Sequence, residues 1–155
     1  MDIKDFLSPT NALIKARAPD KTRLLQELAA RAASALNLDA GQVSNELLKR
    51  EDLGSTGTGE GVALPHARIP DLNKPFGALV RLKQAIDFEA IDGKPVDIIF
   101  LLLLPAKPQG DQLNILASVA RKLRQPELVQ RLRRAADASE LYNTILLDGE
   151  KPVHA

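Results

Sequence analysis

Val96-Asp97-Ile98-Ile99-Phe100-Leu101-Leu102-Leu103-Leu104, closed by Pro105, is the stretch that decides how this chain folds. Its near-continuous Ile, Phe and Leu content suits a strand covered on both faces, since a strand with one wet face alternates apolar with polar residues. Pro105 and Pro108 stop it, because proline cannot donate to a sheet ladder. The apolar run is far short of the roughly 20 residues needed to cross a bilayer. A strand of this kind therefore sits inside protein, with a layer on each side.

The flanks supply those layers. Upstream, Asp20 precedes Leu24, Leu25, Leu28, Ala29, Ala32 and Leu36, which is helical spacing with an apolar stripe. Asp20 is the expected N-cap, its carboxylate accepting from free N–H groups of the first turn. A second helix is expected from Asp39, with Gln42 three residues on in a capping-box pattern, to about Glu51. Downstream, Leu113, Leu116, Ala117, Ala120 and Leu123 predict a third helix over 111–124. Pro126 fits the first position of a fourth, with Leu128, Val129 and Leu132 facing in. Asp137 with Glu140 repeats the capping pattern and opens a last helix through Leu141, Ile145 and Leu146.

Ala12 to Ala16 and Phe76 to Leu82 are further strand candidates. Ile86-Asp87-Phe88 and the turn at Asp92-Gly93-Lys94 suggest an edge connection, and Arg68 to Pro75 reads as a loop. Residues 1–11 carry few periodic signals, and 149–155 read as a flexible tail. With helices before, between and after strands, and no internal repeat, the expectation is one layered α/β domain.

The totals narrow the function classes. A chain of 155 residues is one domain's worth by the usual span of roughly 100–200. At 45% hydrophobic residues it can bury a real core, and at 3% aromatic that core must be aliphatic. The formal charge of +1, from 21 basic and 20 acidic residues, gives no reason to expect nucleic acid or a membrane surface as partner. Arg121-Lys122-Arg124 and Arg131-Arg133-Arg134 fall on polar helix sides and read as solvated faces. The absence of cysteine removes disulfides, thiolate catalysis and thiolate metal sites. The charged N-terminus lacks the apolar core of a signal peptide, so a soluble, cytoplasmic protein is expected.

Chemistry concentrates between Leu53 and Arg68, L-G-S-T-G-T-G-E-G-V-A-L-P-H-A-R. Gly54, Gly57, Gly59 and Gly61 alternate with Ser55, Thr56 and Thr58 ahead of Val62-Ala63-Leu64, Pro65 and His66. Glycines at this density permit positive φ and close approach to the main chain. The segment contains no lysine, so it is no P-loop, and Val62 stands where a dinucleotide fingerprint wants its third glycine. There is no G-x-S-x-G, and His66 and His154 are the only histidines, too few for an ordinary metal site. What remains is His66, expected at the end of a strand and turned out of the sheet, with Arg50 just before the glycines. Each has an ordinary structural reading as well: a satisfied, partly buried imidazole, and a cation at a helix C-terminus.

R-E-D-L-G-S-T-G-T-G-E-G-V-A-L-P-H-A-R, from Arg50 to Arg68, resembles the signature of the fructose/mannitol-type enzyme IIA domains of the bacterial phosphotransferase system. V-D-I-I-F-L-L-L-L-P, the following Leu113, Leu116 and Ala117, and R-L-R-R-A-A-D-A-S-E-L-Y from Arg131 to Tyr142 extend the similarity over nearly the whole chain. It is nearest to the nitrogen-regulatory branch, whose members stand alone. The fold this resemblance implies is a single three-layer α/β/α domain with a mixed central sheet. Its implied function is a phosphocarrier in a regulatory relay, with His66 accepting the phosphoryl group on Nε2 from an HPr-like carrier and Arg50 lining the site. Ser55, Thr56, Gly57 and Gln112 are expected to line it too, the Ser55–Gly61 backbone acting as an anion nest. The helix opening near Asp111 would add its positive end. Gln112 stands where the family commonly has histidine, and an amide still donates to a phosphoryl oxygen. No metal or cofactor is expected. Regulatory targets such as potassium transporters or sensor kinases are the implied partners, without nucleic acid or membrane insertion. A non-catalytic binding module on the same fold, or a sugar-specific enzyme IIA serving an unlinked permease, are the alternatives.

Overall fold

The computed structural model describes residues 1–147; the expected tail, 149–155, lies outside the described residues. The elements run β1 (Ala12–Ala16), α1 (Lys21–Leu36), α2 (Ala40–Asp52), β2 (Gly57–Gly59), β3 (Val62–Ala63), β4 (His66–Ile69), β5 (Phe76–Ile86), β6 (Val96–Pro105), α3 (Ile115–Lys122), α4 (Pro126–Arg134) and α5 (Ala138–Ile145). The sheet is ordered β1-β5-β6-β3-β2, with β4 also paired to β6. β1 with β5, and β3 and β4 with β6, are parallel, whereas β5 with β6 and β2 with β3 are antiparallel.

Strand β6 is the spine, and its side chains are divided between the layers by the two-residue period of a strand. Ile99, Leu101 and Leu103 join the core under α1 and α2, with Leu25, Leu28, Val43 and Leu47. Ile98, Phe100, Leu102 and Leu104 join the opposite core, with Val119, Leu128, Leu132, Leu141 and Ile145 from α3, α4 and α5. The chain is thus an α/β/α three-layer domain with a mixed sheet.

The caps are where the sequence places them. Asp20, Asp39 and Asp137 accept from the N–H groups of Arg23, Gln42 and Glu140, each at 2.8 Å. Glu140 reaches one residue beyond the usual box and accepts from Ala136 N–H at 3.1 Å.

Several expectations are corrected. β5 continues past Leu82 to Ile86. The third helix starts at Ile115, because Gly110–Asn114 forms a 3-10 turn that leaves Leu113 66% exposed instead of core-facing. Residues 1–11 fold into two 3-10 turns, Ile3–Asp5 and Pro9–Asn11, and bury Ile3, Phe6 and Leu7 against the second core. Three apolar side chains without a period gave no sign of this. Arg133 is no solvated cation: it donates to both oxygens of Asp97 from Nε at 3.1 Å and to Glu60 O from Nη2 at 2.6 Å. It thereby ties α4 to the β2–β3 turn.

Candidate functional site

His66 begins a strand rather than ending one. Pro65 cannot donate, yet its carbonyl accepts from Leu102 N–H at 2.9 Å, so the chain keeps following β6 across the break. It re-enters the sheet with His66 opposite Leu102 and Arg68 opposite Leu104. The stretch read as a loop from Arg68 therefore starts as strand and leaves it at Pro70. Along β4, Ala67 and Ile69 go to the α1–α2 core. By alternation His66 and Arg68 turn the other way.

They line an open groove of about 600 Å³ together with Glu46, Lys49, Arg50, Asp52, Leu53, Ala67, Leu104 and Leu116. The structure thus brings together the two residues singled out first, His66 and Arg50, from strand and helix ends sixteen positions apart in sequence. Arg50 sits in the last turn of α2, where a cation meets the negative end of the helix dipole. Its Nη1 donates to Gly54 O at 2.9 Å, which holds the guanidinium at the groove.

The half-buried His66 ring is oriented by one bond. Nδ1 lies 2.9 Å from Leu64 O. A carbonyl only accepts, so Nδ1 carries the proton, and in the neutral ring the lone pair is on Nε2. Burial lowers the pKa below its ordinary 6.5; the Leu64 bond opposes that, Arg50 lowers it further, Glu51 raises it, and Arg68 lowers it. The net direction favours the neutral, nucleophilic ring at neutral pH.

The remaining expected site residues are not among those lining the groove. Ser55 Oγ donates to Phe88 O and accepts from Gly57 N–H. Thr56 is buried, with both its N–H and its hydroxyl given to Glu51. Gly57 is pressed against Ala90, where an added Cβ would stand 2.9 Å from the Ala90 Cβ. Gln112 accepts from Gln109 N–H at 3.1 Å, one turn before the groove-lining Leu116.

Several N–H groups in and beside the segment expected as an anion nest are already given to protein acceptors: Gly54 to Glu51 O, Thr56 to Glu51, Gly57 to Ser55 Oγ, and Glu60 to Asp92. The segment is a tight hairpin, β2–β3, turning at Glu60 and Gly61 with φ of 58° and 80°. The helix expected to open near Asp111 opens instead at Ile115, after a 3-10 turn in which Asp111 pairs with the N-terminal ammonium at 3.5 Å. Besides the groove-lining cations Lys49 and Arg68, sequence reasoning missed Glu51, buried behind the site. It lies inside the quoted motif, but nothing in its type or spacing says it is buried.

Among the described residues no cluster of three or more His, Cys, Asp or Glu side chains is placed to hold a metal, and no helix is long and apolar enough to cross a membrane.

Residues 5–147 match the model of the family described as "Phosphoenolpyruvate-dependent sugar phosphotransferase system, EIIA 2". A protein named nitrogen regulatory protein in Bradyrhizobium diazoefficiens is 43% identical over 147 residues, covering 95% of this chain and 96% of its own. A protein of the same name in Pseudomonas aeruginosa is 35% identical, covering 93% and 94%. The crystal structure of nitrogen regulatory protein IIA-Ntr from Neisseria meningitidis superposes with a TM-score of 0.87 at 33% identity, over 92% of this chain and 98% of that one.

Proposed function

The chain belongs to the EIIA 2 family of the phosphoenolpyruvate-dependent sugar phosphotransferase system, and from that premise we propose that it is a phosphocarrier of a regulatory relay, charged on His66 by an HPr-like carrier. The observation that carries this reading is the Nδ1–Leu64 bond, which reserves the Nε2 lone pair in a groove shared with Arg50. That lone pair attacks the phosphorus of the carrier's phosphohistidine. A new N–P bond forms at Nε2 as the donor N–P bond breaks, and its electron pair returns to the donor ring. No base is required, because the attacking nitrogen carries no proton.

Such a transfer depends mainly on positioning and on charge stabilisation of the equatorial oxygens. Arg50 supplies planar, paired donors for them. Lys49, Arg50 and Arg68 set three cations against the carboxylates of Glu46 and Asp52 around the groove. Leu53, 84% exposed, gives its rim an apolar contact for the carrier. The phosphorylated ring carries up to about two added negative charges, enough to turn a near-neutral chain of formal charge +1 net negative and change which partner docks. The regulatory rather than sugar-delivering role follows the names of the two bacterial relatives and of the structural neighbour.

Incubation with phosphoenolpyruvate, enzyme I and the carrier tests this. Acid-labile label is expected on wild type and absent from His66→Ala. Equal labelling of the two, or a folded wild type that takes no label from a cognate carrier, defeats the proposal.

A further inference from the structure

Glu51 follows Arg50 in α2 and is 8% exposed, although the next residues, Asp52 and Leu53, are exposed. Its carboxylate accepts from Thr56 N–H at 3.1 Å and from the Thr56 hydroxyl, and pairs with Lys21 Nζ at 2.8 Å. Lys21 is itself largely buried and lies 4.7 Å from the centre of the Phe88 ring. A buried ion pair is costly to desolvate and is rarely the cheapest way to fill space. Its location suggests why it is there.

Two chains of hydrogen bonds lead from Glu51 to the two groups of the site. From the carboxylate, the path passes to Thr56, whose carbonyl accepts from Leu64 N–H at 3.0 Å. The Leu64 carbonyl then accepts from His66 Nδ1 at 2.9 Å. From the Glu51 carbonyl, Gly54 N–H is held at 3.0 Å, and Gly54 O receives Arg50 Nη1 at 2.9 Å. Gly54 and Thr56 are two residues apart, so one residue, through its carboxylate and its backbone carbonyl, clamps the short segment that supports both. We propose that Glu51, held by Lys21, is the positioning residue of the phosphoryl site, setting the imidazole of His66 and the guanidinium of Arg50 relative to each other. This rests on the reading of His66 as phosphoryl acceptor. Without the carboxylate the Thr56 N–H and hydroxyl lose their acceptor and the Leu64 carbonyl is free to drift, while Gly54 keeps only its backbone bond to Glu51 O. Misplacement of reacting groups by about 1 Å costs on the order of a hundredfold in rate.

Glu51→Gln keeps an amide oxygen that can still accept from Thr56 and leaves Lys21 with only the exposed Glu89, 3.4 Å away, so the informative variant is Glu51→Leu with Lys21→Met, which removes both buried charges and the acceptor. Thr56→Val is the milder companion, deleting only the hydroxyl. Single-turnover phosphorylation is measured against carrier concentration, with the His66 ring followed by nitrogen NMR. The folded double variant is expected to lose about ten- to a hundredfold in saturating rate. Its half-saturating carrier concentration stays near wild type, and the His66 ring shifts from a single Nδ1–H tautomer to a mixture. Thr56→Val moves the same two readouts in the same direction by less. A wild-type saturating rate and tautomer in whichever variant folds overturns the proposal. Failure of wild type to be labelled on His66 overturns instead the phosphocarrier reading on which it rests.

Discussion

The ring at His66 makes the protein's stability depend on pH just below neutrality. Burial and then Arg50 lower its pKa below 6.5, the Leu64 bond and Glu51 acting against them. Between the lowered folded value and the ordinary unfolded one, the unfolded chain binds more protons, so the contribution of His66 to stability rises with pH. It is fully present above about 6.5 and is lost as pH falls toward the folded value. His66→Gln is therefore expected to lessen the fall in stability between neutral and mildly acidic pH, as read by denaturant unfolding at a series of pH values. Phosphoryl uptake should stay on its neutral-pH plateau to below 6.5, the value from which the ring is lowered. A rate already halved at or above that value would count against a neutral nucleophile. At Arg50 the expectation concerns geometry. Arg50→Lys keeps the charge at the helix end but loses the planar fork. Phosphorylation should slow by about tenfold or more, with an unchanged melting temperature. These two residues were legible because type and place coincide: an imidazole after a strand-breaking proline, and a guanidinium just before the glycines. The hydroxyls of Ser55 and Thr56 were legible as polar groups near the site, but a sequence does not say which way such short side chains turn. Here they turn inward, to Phe88 O and to Glu51.

At the level of elements, the glycine segment serves close approach of chain to chain. Gly57 in β2 packs so closely on Ala90 that an added Cβ would lie 2.9 Å from the Ala90 Cβ and 3.0 Å from its Cα. One of those contacts is backbone and cannot rotate away. Gly57→Ala is expected to destabilise by about 1–3 kcal/mol, measured by urea unfolding, and to disturb the adjoining Thr56–Leu64 bond. A neutral effect would mean that the Ala90 turn yields freely. The caps give a gentler test. Asp137→Ala removes the acceptor for Glu140 N–H and should cost about 1 kcal/mol, within the range for such caps. The helices capped by aspartate were readable because the cap is a local rule. The split of β3 from β4 was not, since it depends on Pro65 being held by Leu102 from a distant strand. The same holds for the 3-10 entry to α3, where tertiary placement overrides a good helical period.

For the whole molecule, the two helical layers are not independent units, because they share one strand. Leu101 is buried in the core under α1 and α2, and Leu102, its neighbour in β6, in the core under α3, α4 and α5. Both are fully buried. Truncating either therefore opens a cavity in a different layer, at a cost of about 2–5 kcal/mol. If each layer could melt alone, Leu101→Ala would broaden the unfolding of one set of helices and leave the other, and Leu102→Ala would do the reverse. The shared strand argues for the opposite outcome. Loss of either layer exposes one face of the most apolar segment in the chain and loosens the pairing of β6 with β4 and β5. Both variants should therefore unfold in one cooperative transition, with equal midpoints by far-ultraviolet dichroism and by a probe in either layer. Probe-dependent midpoints would show that the layers separate. The site gives this cooperativity a functional consequence. His66 pairs with Leu102 in β6, and Arg50 comes from α2 on the opposite side of the sheet from α3, which contributes Leu116. A fold whose layers slid independently would not keep the ring and the guanidinium in one groove, so labelling of either leucine variant should fall with the unfolded fraction and not before it.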